Sequence, residues 1–192
     1  MAGPRVAAMA ITQYLTAASL DGFIADEDNS LQWLFDVPHG DGDEGRWDEF
    51  IGGVGAMAMG STTYEWVLDH IGSEGEWPYK GKPTWVLSSR DLALPEGEGV
   101  DVRIVNAAVA DLHDEMVASA GERNLWVLGG GNVASQFADA GLLDELLVTV
   151  VPVVLGEGKP LFDRRLPGGP MQLTGTRAFD SGMVEVRYEI GR

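Results

Sequence analysis

The 192-residue sequence contains no cysteine, few basic residues and no long apolar run. Without cysteine the protein has no disulfide, no thiolate metal ligand and no thiol nucleophile, and we expect it in the cytoplasm. Thirteen Lys and Arg residues against 30 Asp and Glu residues give a formal charge of −17, which argues against nucleic acid and anionic membranes as partners. No segment approaches the roughly 18 apolar residues of a membrane-spanning helix.

Metal-ligand patterns are also missing. The three histidines, His39, His70 and His113, lack ligand spacing, and the acidic segment 41–45 fails the pattern of a calcium loop, so no metal site is expected. What the sequence does contain is typical of a globular protein, with 45% hydrophobic residues and six tryptophans. Because no repeat or linker divides the chain, we expect residues 1–192 to form one domain.

Three consecutive glycines, Gly129 to Gly131, follow an apolar segment and precede apolar residues at helical spacing. This pattern predicts a buried strand, a turn and a helix. Such a turn can bring backbone N–H groups and the positive end of a helix to a phosphate, or it can simply be a tight corner. A Rossmann fold is not expected, because the next predicted strand, 146–151, ends at Pro152 without the acidic residue which that fingerprint requires.

Two further predicted strands end in polar residues. Gly60-Ser61-Thr62-Thr63 follows a strand predicted over 54–59, and Thr62 and Glu65 have the spacing of a helix capping box. Ser88-Ser89-Arg90 ends a short buried strand that begins at Thr84, and an arginine there could hold a terminal phosphate. A well-capped helix and a solvated strand end are the simpler interpretations.

The ends of the chain add two more signals. The turn Ser19-Leu20-Asp21-Gly22 interrupts a first strand predicted over 9–17, after which a strand resumes. Asp21 could make only a local turn, or it could face a ligand at the end of a central strand. Near the C-terminus, segments 171–178 and 183–190 alternate apolar and polar residues, which predicts an antiparallel hairpin.

The order of these motifs, continued by Gly-Glu-Gly-Lys-Pro-Leu-Phe at 156–162, resembles the dihydrofolate reductase-like family that includes the reductase domain of the bifunctional riboflavin-biosynthesis enzyme. The resemblance covers nearly the whole chain. It implies a three-layer α/β fold: a mostly parallel eight-stranded sheet with an antiparallel C-terminal strand and flanking helices. It also implies NADPH bound across the strand ends, and a homodimer formed around the C-terminal strands.

The resemblance assigns roles to the strand-end residues. Contacts to the phosphates and ribose of NADPH would come from Gly60, Ser61, Thr62 and Thr63. The adenosine 2′-phosphate would meet Ser88, Ser89 and Arg90, and the pyrophosphate would meet Gly129, Gly130, Gly131 and Asn132. The family often has an arginine where this chain has Ser61, so the preference for NADPH over NADH rests mainly on Arg90.

Asp21 is the candidate catalytic residue, as substrate contact or proton donor, since pyrimidine reductases that resemble this chain have this aspartate facing the substrate. A partly desolvated carboxyl with a raised pKa would suit proton donation. Glu44, Asp48 and Glu49 are alternatives, by analogy with the first-helix carboxylate of dihydrofolate reductases.

We therefore expect an NADPH-dependent reductase that transfers a hydride to a small heterocyclic or carbonyl substrate. A narrower version is 5-amino-6-(5-phosphoribosylamino)uracil reductase in riboflavin biosynthesis. The alternatives are a dihydrofolate reductase and a nicotinamide-nucleotide-binding protein without catalysis. The deaminase domain of the bifunctional enzyme is not expected, because its zinc signature needs cysteine.

Overall fold

The computed structural model describes residues 10–38, 44–70 and 76–191. The described strands are β1 (Thr12–Ser19), β2 (Phe23–Ala25), β3 (Val54–Gly60), β4 (Thr84–Leu87), β5 (Val102–Val105), β6 (Asn124–Gly129), β7 (Glu145–Val151), β8 (Lys159–Pro160), β9 (Gln172–Ala178) and β10 (Val184–Glu189). The described helices are α1 (Gln32–Phe35), α2 (Glu44–Gly52), α3 (Ser61–His70), α4 (Val109–Ala120) and α5 (Gly131–Asp139).

Eight strands form one sheet in the order β5-β4-β3-β6-β1-β7-β10-β9. The first six strands in this order, β5, β4, β3, β6, β1 and β7, pair in parallel. Strand β10 is antiparallel to both β7 and β9. The short strands β2 and β8 form a separate antiparallel pair. The mostly parallel eight-stranded sheet with an antiparallel C-terminal strand is therefore confirmed.

Both faces of the central strands are buried, which explains why their sequences are almost continuously apolar. On β3, Met57 and Met59 belong to a cluster with Tyr64 and Val67 of α3. The alternate residues, Ala56 and Ala58, belong to a cluster with α4 and α5. Helices thus cover opposite faces of the sheet, with α3 on one side and α4 and α5 on the other.

This arrangement creates a switch point between β3 and β6. The two strands are neighbours and run in the same direction, so both end at one edge of the sheet. From that edge the chain enters α3 on one face and α5 on the other. The crevice between two such diverging connections is where open α/β sheets bind ligands.

The local predictions differ from the structure in several places. β1 begins at Thr12 and continues to Ser19, two residues beyond its predicted end, because its C-terminal half pairs with β7. The capping box prediction was wrong: α3 already begins at Ser61, and the Glu65 carboxylate binds Arg90 instead of a backbone N–H group. His39 and the segment 41–43 lie outside the described residues.

Candidate functional site

A cavity of about 530 Å³ opens at the switch point. Its wall comes from β1 and the segment after it, from α3, from the turn between β6 and α5, and from β8 and the residues that follow. The lining residues are Thr16, Ile24, Ala25, Asn29, Leu31, Thr62, Thr63, Trp66, Leu128, Gly129, Gly130, Gly131, Asn132, Lys159, Pro160 and Asp163. Parts of two of the three predicted segments therefore meet in one cavity: Thr62 and Thr63 of the first, and Gly129 to Asn132 of the third.

The glycine turn is required by the geometry of the protein itself. Gly130 has φ +81°, a conformation that side chains other than glycine rarely adopt. A Cβ atom at Gly131 would lie 2.4 Å from the carbonyl oxygen of Pro160, so only glycine lets β8 approach α5 this closely. The tight-corner interpretation thus accounts for both residues, and it leaves room for a phosphate beside them.

The first turn of α5 forms the polar wall of the cavity. No side chain caps this helix, and the first N–H groups of any helix lack partners within it. Asn132 is less available, because its Nδ2 donates to the Asp163 carboxylate at 2.6 Å. That hydrogen bond is the main reason the pKa of Asp163 is lowered, and it places a negative charge near the helix end.

Trp66 and Lys159 are lining residues that the sequence analysis missed. The Trp66 ring stacks on Phe35 of α1 at 6.2 Å between centroids and on His70 at 4.6 Å. Trp66 lies one helical turn after Thr62, so the spacing along α3 could have identified it. Among the described residues, Lys159 is the one Lys or Arg that lines this cavity. The pairing of β8 with β2 brings it there, and that pairing is not apparent in the sequence.

A second, smaller cavity of about 200 Å³ lies on the α1–α2 side of the sheet. It is mainly apolar and is lined by Leu15, Leu34, Phe35, Arg46, Trp47, Phe50, Thr149, Phe179, Met183 and Glu185. Phe35 of this cavity stacks on Trp66 of the larger one, with 6.2 Å between the ring centroids. The two cavities are therefore neighbours.

The model of the RibD C-terminal domain family matches residues 73–185. The chain belongs to the RibD C-terminal domain family. YwjB of Bacillus subtilis (strain 168), an uncharacterised protein, is 32% identical over 174 residues, which cover 90% of this chain and 93% of YwjB. Membership confirms the resemblance on which the sequence-based expectations rest.

Solved structures agree with this membership. A Shewanella sp. PV-4 protein ascribed to riboflavin biosynthesis has a TM-score of 0.80 at 28% identity, covering 95% of this chain and 99% of that one. Dihydrofolate reductase from Enterococcus faecalis, complexed with NADP(H), has a TM-score of 0.57 at 18% identity, covering 94% and 95%. The second likeness concerns the fold alone, which is dihydrofolate reductase-like.

In this member of the RibD C-terminal domain family, Arg90 is already paired. Its Nη1 and Nη2 donate to the Glu65 carboxylate at 3.0 and 2.5 Å, and this pair raises the pKa of Arg90. Ser88 accepts a hydrogen bond from the Arg90 N–H group at 3.0 Å. The segment Ser88-Ser89-Arg90 lies at the same edge of the sheet but does not line the larger cavity, and neither do Gly60 and Ser61.

Asp21 lies in the turn after β1 and is held there by hydrogen bonds within the protein. Its carboxylate accepts hydrogen bonds from the Ser19 hydroxyl at 2.6 Å and from the N–H groups of Leu155 and Gly156 at 3.1 and 2.7 Å. These bonds, that of Ser19 above all, lower its pKa to about 2. A raised pKa would suit proton donation, but this exposed carboxylate is stabilised in its charged form. It ties the turn after β1 to segment 155–156, and its role as substrate contact or proton donor stays a prediction.

Two of the alternative carboxylates, Asp48 and Glu49, do not line the larger cavity. Glu49 lines a separate polar cavity of about 360 Å³ with Gln13 and Arg187, and Asp48 is exposed. The side chain of Glu44 lies outside the described part of the chain. Within the described ranges, no group of three or more His, Asp or Glu residues could hold a metal ion. No helix there is long and apolar enough to cross a bilayer.

Proposed function

We propose that this protein is an NADPH-dependent reductase whose coenzyme lies in the cavity between β3 and β6. The observation that carries the proposal is the convergence of Thr62, Thr63 and Gly129 to Asn132 at the switch point of a RibD C-terminal domain. The cavity volume is within the range of about 300–1,000 Å³ that small-molecule sites occupy. Family membership and the dihydrofolate reductase-like fold support an oxidoreductase.

The lining residues fit the two halves of such a coenzyme. The N-terminal turn of α5 suits the pyrophosphate, because helix N–H groups and the helix dipole attract anions. Lys159 adds a positive charge in a protein that is otherwise strongly acidic. Ile24, Leu31 and Trp66 supply apolar surface for the nicotinamide ring, which carries the hydride chemistry when bound. The 2′-phosphate would have to share Arg90 with Glu65.

Coenzyme binding is tested by titrating the protein with NADPH and NADH while following tryptophan fluorescence and heat. We expect saturable quenching, because Trp66 lines the cavity. Trp66→Phe should lose most of the quenching while calorimetry still detects binding. Lys159→Ala should weaken NADPH binding roughly fivefold, since a charge-assisted hydrogen bond is lost at an exposed site.

Lys80→Ala is the matched control, because Lys80 pairs with Glu76 on the surface outside the cavity. Absence of heat and quenching with both coenzymes would refute the proposed function. If Lys159→Ala and Lys80→Ala weakened NADPH binding equally, the coenzyme would bind outside this cavity.

The second candidate is a coenzyme-binding protein without catalysis. One observation favours it: Asp21, the candidate substrate contact or proton donor, has a lowered pKa of about 2 and accepts hydrogen bonds from Ser19, Leu155 and Gly156. NADPH oxidation at 340 nm with a carbonyl acceptor separates the two functions, since a binding protein would show the titration but no turnover. Homodimerisation and a cytoplasmic location stay predictions; light scattering of the purified chain tests the first.

A further inference from the structure

The polar cavity of about 360 Å³ lies at the edge of the sheet opposite the glycine turn. Gln13 and Asn124, which line it, stand at the starts of β1 and β6. Gly129, which lines the larger cavity, ends β6. These two residues of β6 are roughly 16 Å apart, because a strand rises about 3.3 Å per residue. The polar cavity and the larger cavity therefore lie at opposite ends of the parallel strands.

The wall of the polar cavity carries more positive than negative charge. The charged residues that line it are Arg46, Glu49, Arg177, Glu185 and Arg187. Three arginines against two glutamates give a formal charge of +1, in a chain whose formal total is −17. Because the protein as a whole repels anions, an anion would bind only where arginines are gathered in this way.

Strand pairing brings these arginines to one face of the β9–β10 hairpin. Arg177 is paired with Glu185, and Arg187 is paired with Gly175. Alternate residues of a strand share a face, so Arg177 and Arg187 are diagonal neighbours, at a separation of roughly 7–8 Å that long side chains can span. Glu185 of the same face accepts hydrogen bonds from Arg46 of α2. The helix therefore adds the third arginine to this face.

Arg46 has a buried donor that its ion pair does not use. Its Nε donates to the two Glu185 carboxylate oxygens at 3.2 and 2.9 Å, and each side chain is only 11% exposed. Its Nη2 lies 2.9 Å from one of these oxygens, yet it is buried without a hydrogen-bond partner among the described residues. Such donors are rare in folded proteins, and a bound ion or water is a common reason for them. An oxyanion could accept from Nη2 while Glu185 keeps Nε.

Gly175 leaves space beside Arg187. Its φ is not positive, and an added Cβ would meet the Cβ of Arg187 at 3.8 Å, which is an ordinary contact. The backbone therefore does not require glycine at this position. The Nε of Arg187 lies 3.4 Å from a Glu145 carboxylate oxygen, beyond the usual range of about 2.7–3.2 Å for N–H···O bonds. This loose pair leaves the guanidinium able to bind a ligand in the space that the glycine provides.

We propose that the polar cavity binds the oxyanion group of a small molecule, phosphate or carboxylate, through Arg46, Arg177 and Arg187. Guanidinium groups suit this role because their forked N–H donors match the oxygens of both groups. The site lies at the other end of the strands from the coenzyme cavity, so this inference does not depend on the proposed function.

The test measures the binding of radiolabelled inorganic phosphate and of radiolabelled malonate to the full chain by equilibrium dialysis. Sodium chloride keeps the ionic strength constant, so that general screening does not imitate binding. We expect saturable binding of at least one anion at millimolar concentration. The anion that binds more tightly identifies the group that the site accepts.

Arg187→Gln should weaken binding of that anion by about tenfold or more, because hydrogen bonds to a charged group are lost. Arg103→Gln is the matched control and should leave the affinity unchanged. Arg103 is also ion-paired, with Asp101 and Glu115, but it lies on β5 at the other edge of the sheet. Lys159→Ala should likewise leave it unchanged, since Lys159 lines the larger cavity.

Gly175→Glu removes no arginine but places a carboxylate across from Arg187. This internal anion should compete with the ligand and weaken its binding by about tenfold or more. Gly169→Glu adds the same charge outside the polar cavity, where no atom lies within 4 Å of the added Cβ and φ is not positive. It should leave the affinity unchanged.

Absence of saturable binding of both anions at millimolar concentration would overturn this inference, because the arginines would then serve only to neutralise the glutamates. Equal weakening by Arg187→Gln and Arg103→Gln would overturn it too, as would unchanged binding in Gly175→Glu. A loss confined to Lys159→Ala would place the anion at the glycine turn and would also overturn it. Failure of NADPH to bind would refute the reductase proposal and leave this one standing.

Discussion

Gly131→Ala tests why three glycines stand where β6 ends and α5 begins. An added Cβ would lie 2.4 Å from the Pro160 carbonyl oxygen and 2.8 Å from that of Leu161, both backbone atoms. An ordinary contact requires β8 to retreat by about 1 Å, and close-packed interiors resist such shifts. Overpacking costs about 1–3 kcal/mol. Because each kcal/mol lowers Tm by roughly 2–4 °C at this chain length, we expect Tm to fall by about 2–12 °C.

The measurement is thermal and urea unfolding without coenzyme, followed by an NADPH titration. Gly169→Ala is the matched control, because no atom lies within 4 Å of its added Cβ and its φ is not positive. If the glycine served only to admit a phosphate, Gly131→Ala would unfold at the same temperature as the unaltered protein. That result would refute the packing argument. NADPH affinity should fall too, since the displaced strand β8 carries Lys159.

For three further substitutions, the described contacts determine whether coenzyme affinity or stability rises or falls. Glu65→Gln removes the carboxylate that pairs with Arg90, so the affinity for NADPH should rise about two- to fivefold. The affinity for NADH should stay the same, and titration measures both. Asp21→Asn removes a carboxylate whose pKa is lowered to about 2; its stabilising effect is present above the ordinary value of 3.8 and disappears as the pH falls toward 2. When unfolding is measured from pH 7 to pH 2, we therefore expect this variant to be less stable than the unaltered protein at neutral pH. Its free energy of unfolding should also fall less as the pH decreases. Arg46→Ala leaves Glu185 buried without its partner and should cost about 3–5 kcal/mol in urea unfolding.

Two of these changes have controls in the exposed pair of Lys80 with Glu76. Glu76→Gln should alter neither coenzyme affinity, and Lys80→Ala should cost less than about 1 kcal/mol because surface ion pairs contribute little. A fall in NADPH affinity in Glu65→Gln would mean that Glu65 positions Arg90 instead of competing for it. If Asp21→Asn lost as much stability as the unaltered protein between pH 7 and pH 2, that result would contradict the lowered pKa of Asp21.

The sheet was predictable because its signals are local. Apolar segments such as Val54 to Met59 and Leu125 to Leu128 lie on strands buried on both faces, and periodicity identifies those directly. The ends of elements were less predictable. β1 extends to Ser19 because of its pairing with β7, a partner more than 120 residues away along the chain. No property of the residues around Ser19 specifies that partner.

The candidate site was predictable where backbone connectivity builds it. The ends of β3 and β6 meet because parallel strands end at one edge, and this follows from the order of strands and helices. The side-chain partners were not predictable. The sequence around Asp21 does not indicate that its carboxylate accepts hydrogen bonds from the N–H groups of Leu155 and Gly156. Arg90 resembles a phosphate ligand, yet Glu65 occupies it. Both partners come from distant segments.

The two cavities therefore differ in what sets their specificity. Part of the larger one is backbone, the glycine turn and the first turn of α5 from Gly129 to Asn132, which depends on how the chain crosses from β6 to α5. The rest of its wall is made of side chains from other elements, such as Trp66 and Lys159. The smaller one is made of side chains from α1, α2 and the β9–β10 hairpin, and substitutions there can change its size and charge without moving the switch point. The Arg46–Glu185 pair exemplifies this difference, because it lines the smaller cavity and not the larger one. Under the proposed function, a fold built in this way can keep one coenzyme and exchange one acceptor for another.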